Sequence, residues 1–210
     1  MRIILARHGN TFGPGDTPVW VGAKEDLHLV DKGREQSTAI GKYLTQQGLV
    51  PDQIIAGPLQ RTREGAELIA GETGYDAGAI RIDDRLKEID YGSWGGKSDA
   101  EIIDLYGEAV IHDWRERTIV PAGADWSPGP EALKQAALDV LNEIVAQDHE
   151  TVLLVSSNGT LRYFHAAWYD NLATAPPAKV KTGHICIAEW MSGRFIPEVW
   201  NLNPATPLTE

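Results

Sequence analysis

The runs Ile3-Ile4-Leu5-Ala6 and Val152-Leu153-Leu154-Val155 contain no polar residue, so neither alternates as a strand with one wet face would. Strands of this kind must be covered on both sides, which requires helices above and below a sheet. Helix-like and strand-like segments alternate through the rest of the chain. Gln53-Ile54-Ile55-Ala56 reads as a short buried strand that stops at Gly57-Pro58, and 184–190 and 195–200 read as two last strands joined through Ser192-Gly193. A helix is expected from Asp31, a residue suited to an N-cap, to Gly48, with Ile40, Tyr43, Leu44 and Gln47 at helical spacing. Others are expected at about 59–70, as shorter pieces within 99–118, and at 160–169. Leu133, Ala137, Val140, Leu141 and Ile144 form one amphipathic stripe. The expected architecture is a three-layer α/β/α domain with a mostly parallel central sheet. No linker, repeat or low-complexity tract divides the chain, so residues 1–210 are read as a single domain with a loop and helical insertion at about 97–130.

Two segments resist regular structure. Gly13-Pro14-Gly15-Asp16-Thr17-Pro18 cannot be crossed by a helix, and Pro121–Pro130 is long enough for a lid or substrate loop.

Charge narrows the choice of partners. A formal net charge of -11 argues against binding a nucleic-acid backbone, which takes clustered Lys and Arg. An anionic substrate would have to be met by a few focused cations against an unfavourable overall field. No apolar run reaches membrane-spanning length, so no membrane partner is expected. The single Cys186 cannot form an internal disulfide, and the chain begins without a basic and apolar leader, which together lead us to expect a cytoplasmic protein. Cys186, in Ile185-Cys186-Ile187-Ala188, is read as a small buried residue. The oligomeric state is left open.

In a parallel sheet the carboxyl ends of the strands share one edge, where ligands bind. Three such ends carry Arg7-His8-Gly9-Asn10-Thr11, Gly57-Pro58-Leu59-Gln60-Arg61-Thr62-Arg63 and Ser156-Ser157-Asn158-Gly159-Thr160. An imidazole, guanidiniums, amides, hydroxyls and helix N-termini would converge there. That set suits a phosphoryl group, whose oxygens accept bidentately from guanidinium and from free backbone N–H groups.

With Leu29–Gln36, Pro58–Thr62, Leu86–Gly96, Val155–Arg162 and Lys181-Thr182-Gly183, in that order along nearly the whole chain, the sequence resembles the histidine phosphatase superfamily, the phosphoglycerate mutase-like fold. The resemblance implies that His8 is a nucleophile that accepts a phosphoryl group. Arg7 and Arg61, with Asn10, Thr11, Asn158 and the backbone of Gly159, would bind the phosphoryl oxygens, and Glu88 would exchange the proton with the leaving oxygen and then with water. It implies no cofactor and no metal. Its substrate would be a small phosphorylated metabolite, hydrolysed through a phosphohistidine. An isomerase of the mutase type is the alternative, against which Arg115 and Arg117 do not match the basic set that mutases use. A weakened phosphate-binding member is the other.

One position departs from the pattern. Members usually have a second histidine where this chain has Asn158. An amide can donate but cannot be cationic. The loss of one charge-assisted contact is worth about one to a few kcal/mol of transition-state stabilisation, or roughly ten- to a thousandfold in rate if nothing compensates. His184 is a candidate for supplying the missing imidazole. The remaining histidines show no metal-ligand spacing, and Trp20, Trp94 and Trp126 lie in loops that can reach a pocket or pack beneath it.

Overall fold

A computed structural model of the chain describes residues 1–205. The last five residues of the expected 1–210 domain lie outside the described residues. Six strands, β1 (Arg2–Arg7), β2 (Gln53–Ala56), β3 (Arg81–Ile82), β4 (Thr151–Ser156), β5 (Ile185–Met191) and β6 (Arg194–Leu202), form one sheet in the order β3-β2-β4-β1-β5-β6. The first four in that order run parallel, and β5 and β6 close the edge as an antiparallel pair. The mostly parallel α/β sheet is therefore as expected. Two-residue β3 was not anticipated, because so short a strand carries no pattern to read.

The helices are α1 (Asp31–Gln46), α2 (Gln60–Thr73), α3 (Asp99–Tyr106), α4 (Glu108–Arg117), α5 (Pro130–Val145) and α6 (Asn158–Trp168). Successive strand residues point to opposite faces, which divides the apolar strands between two cores. Ile4, Ala6, Leu153 and Val155 pack with Ile40 and Leu44 of α1 and with Ala66, Ile69 and Ala70 of α2. Ile3, Leu5, Val152 and Leu154 pack with Leu133, Val140, Leu141 and Ile144 of α5 and with Leu161, Phe164 and Trp168 of α6. All of these are buried. Cys186 is buried as expected, its sulfur accepting the Asn201 N–H at 3.3 Å, and burial pushes its thiol pKa up to about 12. No helix among the described residues is long and apolar enough to cross a membrane.

Register places the polar segments. Arg7 sits opposite Ser156, and Ala56 opposite Val155. The His8 N–H continues the ladder to Ser156 O at 3.1 Å, and the Gly57 N–H to Val155 O at 2.9 Å. Strands β1, β2 and β4 thus finish on one edge.

Two glycines let α1 approach that edge. A Cβ on Gly9 would overlap the Gly33 backbone, and one on Gly33 would overlap the backbone of Asn10. The end of β1 and the first turn of α1 consequently meet backbone to backbone.

The segment before α5 corrects an expectation. Residues 121–129 do not form a lid: Asp90 and Ser127 exchange backbone hydrogen bonds of 2.8 and 2.9 Å, and the Asp125 carboxylate accepts from the Ser93 N–H and hydroxyl. Trp126 fills the space beneath, edge-on to Tyr91, Trp94 and Trp114. Pro130, whose missing N–H is no loss there, opens α5.

Candidate active site

A cleft of about 400 Å³ opens at the carboxyl edge of the sheet, within the range of small-molecule sites. Of the residues expected in a site, Arg7, His8, Asn10, Thr11, Arg61, Glu88 and Asn158 line it. Gly159 and His184 do not.

His8 is 6% exposed, and its Nδ1 lies 2.7 Å from the Gly9 carbonyl oxygen. A carbonyl can only accept, so a neutral ring keeps its proton on Nδ1 and leaves the Nε2 lone pair free. The ring is held neutral: burial, and after it the charges of Arg7 and Arg61, depress its pKa well below the usual value.

The two guanidiniums are anchored differently. Arg7 donates through Nη1 to Val180 O at 2.8 Å, and its Nη2 has no protein acceptor among the described residues. Arg61, 1% exposed in the first turn of α2, reaches Glu25 O at 2.8 Å and Gly22 O at 3.1 Å. It thereby fastens the otherwise irregular segment before α1. That segment is also tied by the Trp20 N–H to Lys97 O at 2.8 Å and the Ala23 N–H to Ile89 O at 3.0 Å, and Phe12, Val19, Trp20 and Val21 form one wall of the cleft. Burial lowers the pKa of both arginines, which remain cations.

Asn158 is the first residue of α6. Its Oδ1 accepts the Val180 N–H at 3.0 Å, which fixes the amide orientation and leaves the Nδ2 hydrogens for the cleft. Val180 therefore offers its N–H to Asn158 and its C=O to Arg7. Asn10 is held from both sides, its N–H by Gln36 Oε1 at 2.8 Å and its Oδ1 by the Thr182 hydroxyl.

Glu88 is 5% exposed and its carboxyl is held by backbone alone. Oε1 accepts the Ile89 N–H at 2.9 Å and Oε2 the Gly159 N–H at 3.2 Å. Here the structure changes the expected role of Gly159: its N–H goes to Glu88 rather than to a phosphoryl oxygen. A side chain at 159 would collide with Glu88, Tyr91 and Ile89.

His184 is also corrected. It precedes β5, and its Nδ1 faces Thr182 O at 3.1 Å, outside the cleft lining. The structure does not bring its ring into the cleft. Of the other histidines, His165 is buried with Nε2 2.8 Å from Pro176 O and is not among the residues lining the cleft.

Several lining residues were not singled out from the sequence: Tyr91, Trp114, Arg162 and Lys179. Arg162 is 2% exposed and donates to Trp114 O at 2.9 Å, the Thr118 hydroxyl at 3.1 Å and Arg115 O at 3.0 Å, which satisfies carbonyls at the end of α4. Its guanidinium lies 4.9 Å from the Trp114 ring centroid, and burial brings its pKa down to about 10. A helix starting at Asn158 puts position 162 on the same face, so this residue was findable by i, i+4 spacing. Trp20 reaches the cleft, as allowed for, whereas Trp94 and Trp126 are core.

Comparison with known proteins agrees with this geometry. The family model of the histidine phosphatase superfamily (branch 1) matches residues 3–203. A 2,3-bisphosphoglycerate-dependent phosphoglycerate mutase of Methylorubrum extorquens is 28% identical over 166 residues, which cover 76% of this chain and 75% of that protein. Among solved structures, Bacillus stearothermophilus YhfR superposes with a TM-score of 0.73 at 28% identity, over 95% of this chain and 96% of that one. A vanadate complex of mycobacterial glucosyl-3-phosphoglycerate phosphatase gives 0.73 at 26% identity, over 95% and 98%. With most of its length matched by the family model and its expected residues gathered in one cleft, this chain belongs to the histidine phosphatase superfamily.

Proposed function

We propose that the protein is a phosphomonoesterase that hydrolyses a small phosphorylated metabolite through a phosphohistidine on His8. The observation that carries this reading is the His8 ring, buried, neutral and bonded through Nδ1 to Gly9 O, which leaves the Nε2 lone pair free in the cleft that Arg7 and Arg61 also line. Nε2 attacks phosphorus in line as the ester P–O bond breaks, and Glu88, as the acid, protonates the leaving oxygen. The Glu88 carboxylate then takes a proton from the water that attacks the phosphohistidine, which releases inorganic phosphate and restores both groups. Charge on the transferring group is spread over its oxygens, so fixed cations and the Asn158 amide supply stabilisation where it is needed. An uncharged donor at 158 makes the turnover slower than a second histidine would.

Rapid quenching with a radiolabelled phosphate ester tests the scheme. We expect an acid-labile phosphoprotein and phosphate release in the native enzyme, and neither in His8→Ala. Ordinary rates in His8→Ala would exclude His8 as nucleophile, and formation of an isomeric ester in place of free phosphate would make the enzyme a mutase.

A further inference from the structure

The peptide unit between Gly9 and Asn10 is held at both ends. Its carbonyl oxygen is the Gly9 O that lies 2.7 Å from His8 Nδ1, and its N–H donates to Gln36 Oε1 at 2.8 Å. The unit is trans, so its N–H and C=O point in opposite directions from one rigid plane. A turn of that plane that freed the N–H would carry the carbonyl off the imidazole. The two bonds also form one chain, from the imidazole N–H to the Gly9 carbonyl and from the Asn10 N–H to the Gln36 oxygen, in which each bond polarises the next and makes the carbonyl a better acceptor.

Gln36 is itself fixed. Its Nε2 donates to Thr182 O at 3.3 Å, which decides which end of the amide faces Asn10, and the Thr182 hydroxyl donates to Asn10 Oδ1. Gly183, with φ of +70°, lets the 182–183 turn lie directly on the glutamine, since a Cβ there would come within 2.6 Å of Gln36 Cβ. From that position the Gly183 N–H reaches both Arg7 O and His8 O at 3.2 Å. Gln36 is half-buried in α1 and is not among the residues that line the cleft. What it does for the site it does through the backbone.

We propose that Gln36 is a positioning residue for His8: by fixing the Gly9–Asn10 peptide it holds the imidazole in the tautomer that carries its proton on Nδ1 and keeps Nε2 free to attack. The assignment rests on the reading of His8 as the nucleophile. A neutral imidazole without that constraint populates both tautomers, and the one protonated on Nε2 has no lone pair to offer there. Arg7 and Arg61 are anchored on the carbonyls of Val180, Glu25 and Gly22, independently of Gln36, so orientation of the nucleophile and binding of phosphate are separable.

Heteronuclear NMR of isotopically labelled histidine rings reads the tautomer with no turnover required. It is applied to the native protein, Gln36→Met and Gln36→Glu, with the His8 signal identified by its loss in His8→Ala. Native His8 should show a protonated Nδ1 and a lone-pair Nε2. Gln36→Met, which keeps the length but removes the acceptor, should add a ring species protonated on Nε2, and Gln36→Glu, which keeps an oxygen for the Asn10 N–H, should restore the native pattern. In rapid quenching, phosphorylation of His8 by p-nitrophenyl phosphate should slow about tenfold in Gln36→Met, the worth of one hydrogen bond, while the Kd for inorganic phosphate stays within about threefold of native. An unchanged tautomer in Gln36→Met, the same mixture in Gln36→Glu, or a loss confined to phosphate affinity overturns the proposal. If the ring responds as stated but no phosphohistidine forms in the native protein, the hydrolase reading fails and Gln36 keeps its hold on the tautomer; a phosphohistidine with no response of the ring to Gln36→Met does the reverse.

Discussion

Gly159→Ala tests how Glu88 is held. A Cβ at 159 would lie 2.5 Å from the Tyr91 hydroxyl and 2.9 Å from Ile89 Cδ1, and closer still to Glu88 Oε1, where ordinary contact begins near 3.4 Å. The tyrosine hydroxyl has to retreat by about 0.9 Å and the carboxyl by more, away from the packed residues behind them and toward the cleft that both line. Overpacking of this kind costs about 1 to 3 kcal/mol, so a lowered unfolding midpoint with an unchanged denaturant slope is expected. The kinetic cost is separate. Displacing Glu88 breaks the Gly159 N–H bond to Oε2 and takes the proton donor off line, and a misplacement near 1 Å is worth roughly a hundredfold. Leaving groups distinguish the two effects. Phenyl phosphate, whose phenolate leaves poorly, needs the proton and should lose about a hundredfold in kcat/KM. Dinitrophenyl phosphate needs none and should lose less than about tenfold, the same order as in Glu88→Gln. Equal losses across the series, or no loss in a folded variant, would refute the claim that Gly159 exists to seat the Glu88 carboxyl.

Other measurements bear on the neighbouring groups. Asn158→Asp keeps an oxygen for the Val180 N–H but replaces the amide hydrogens with negative charge, so kcat/KM should fall about a hundredfold or more while the melting temperature changes little; retained activity would remove Asn158 from the phosphoryl site. Because the pKa of His8 is depressed, its ring stays neutral on acidification, and kcat/KM for p-nitrophenyl phosphate should hold from pH 7 to about 5.5, whereas a decline following an ordinary histidine value near 6.5 would contradict the burial argument. Below about 6.5 the unfolded chain binds protons at His8 and His165 that the native chain refuses, so stability is full above that pH and declines as it falls, by up to about 1.4 kcal/mol per pH unit for each group; a melting temperature that rises between pH 7 and 5.5 would refute it.

The sheet and the convergence of three strand ends were legible because both follow from local pattern: uninterrupted apolar runs need two covered faces, and parallel strands end on one edge. The positions of Arg7, His8, Arg61, Glu88 and Asn158 in the cleft followed from that geometry and from the motif blocks. What escaped was set by tertiary path. Lys179 follows Pro176-Pro177-Ala178 in a segment with no periodicity, and only the hydrogen bonds at Val180 bring it to the rim. The Gly159 N–H was misassigned because a helix start looks like an anion site until a carboxylate from another loop is found occupying it. His184 went astray since its ring turns back to Thr182, an orientation no spacing encodes. Residues 121–129 looked free because their anchors, Asp90 and Ser93, lie some thirty residues earlier in the chain.

The meeting of Gly9 with Gly33 limits how this edge of the sheet can change. At most tight contacts an enlarged residue is rescued when its neighbour shrinks, and the pair drifts together. Here each partner is already the smallest residue available, and what a new Cβ would strike is main chain. No second substitution can return the lost space, so the separation between the imidazole-bearing strand end and the start of α1 is fixed by peptide geometry, and redesign of the cleft has to proceed from its opposite wall.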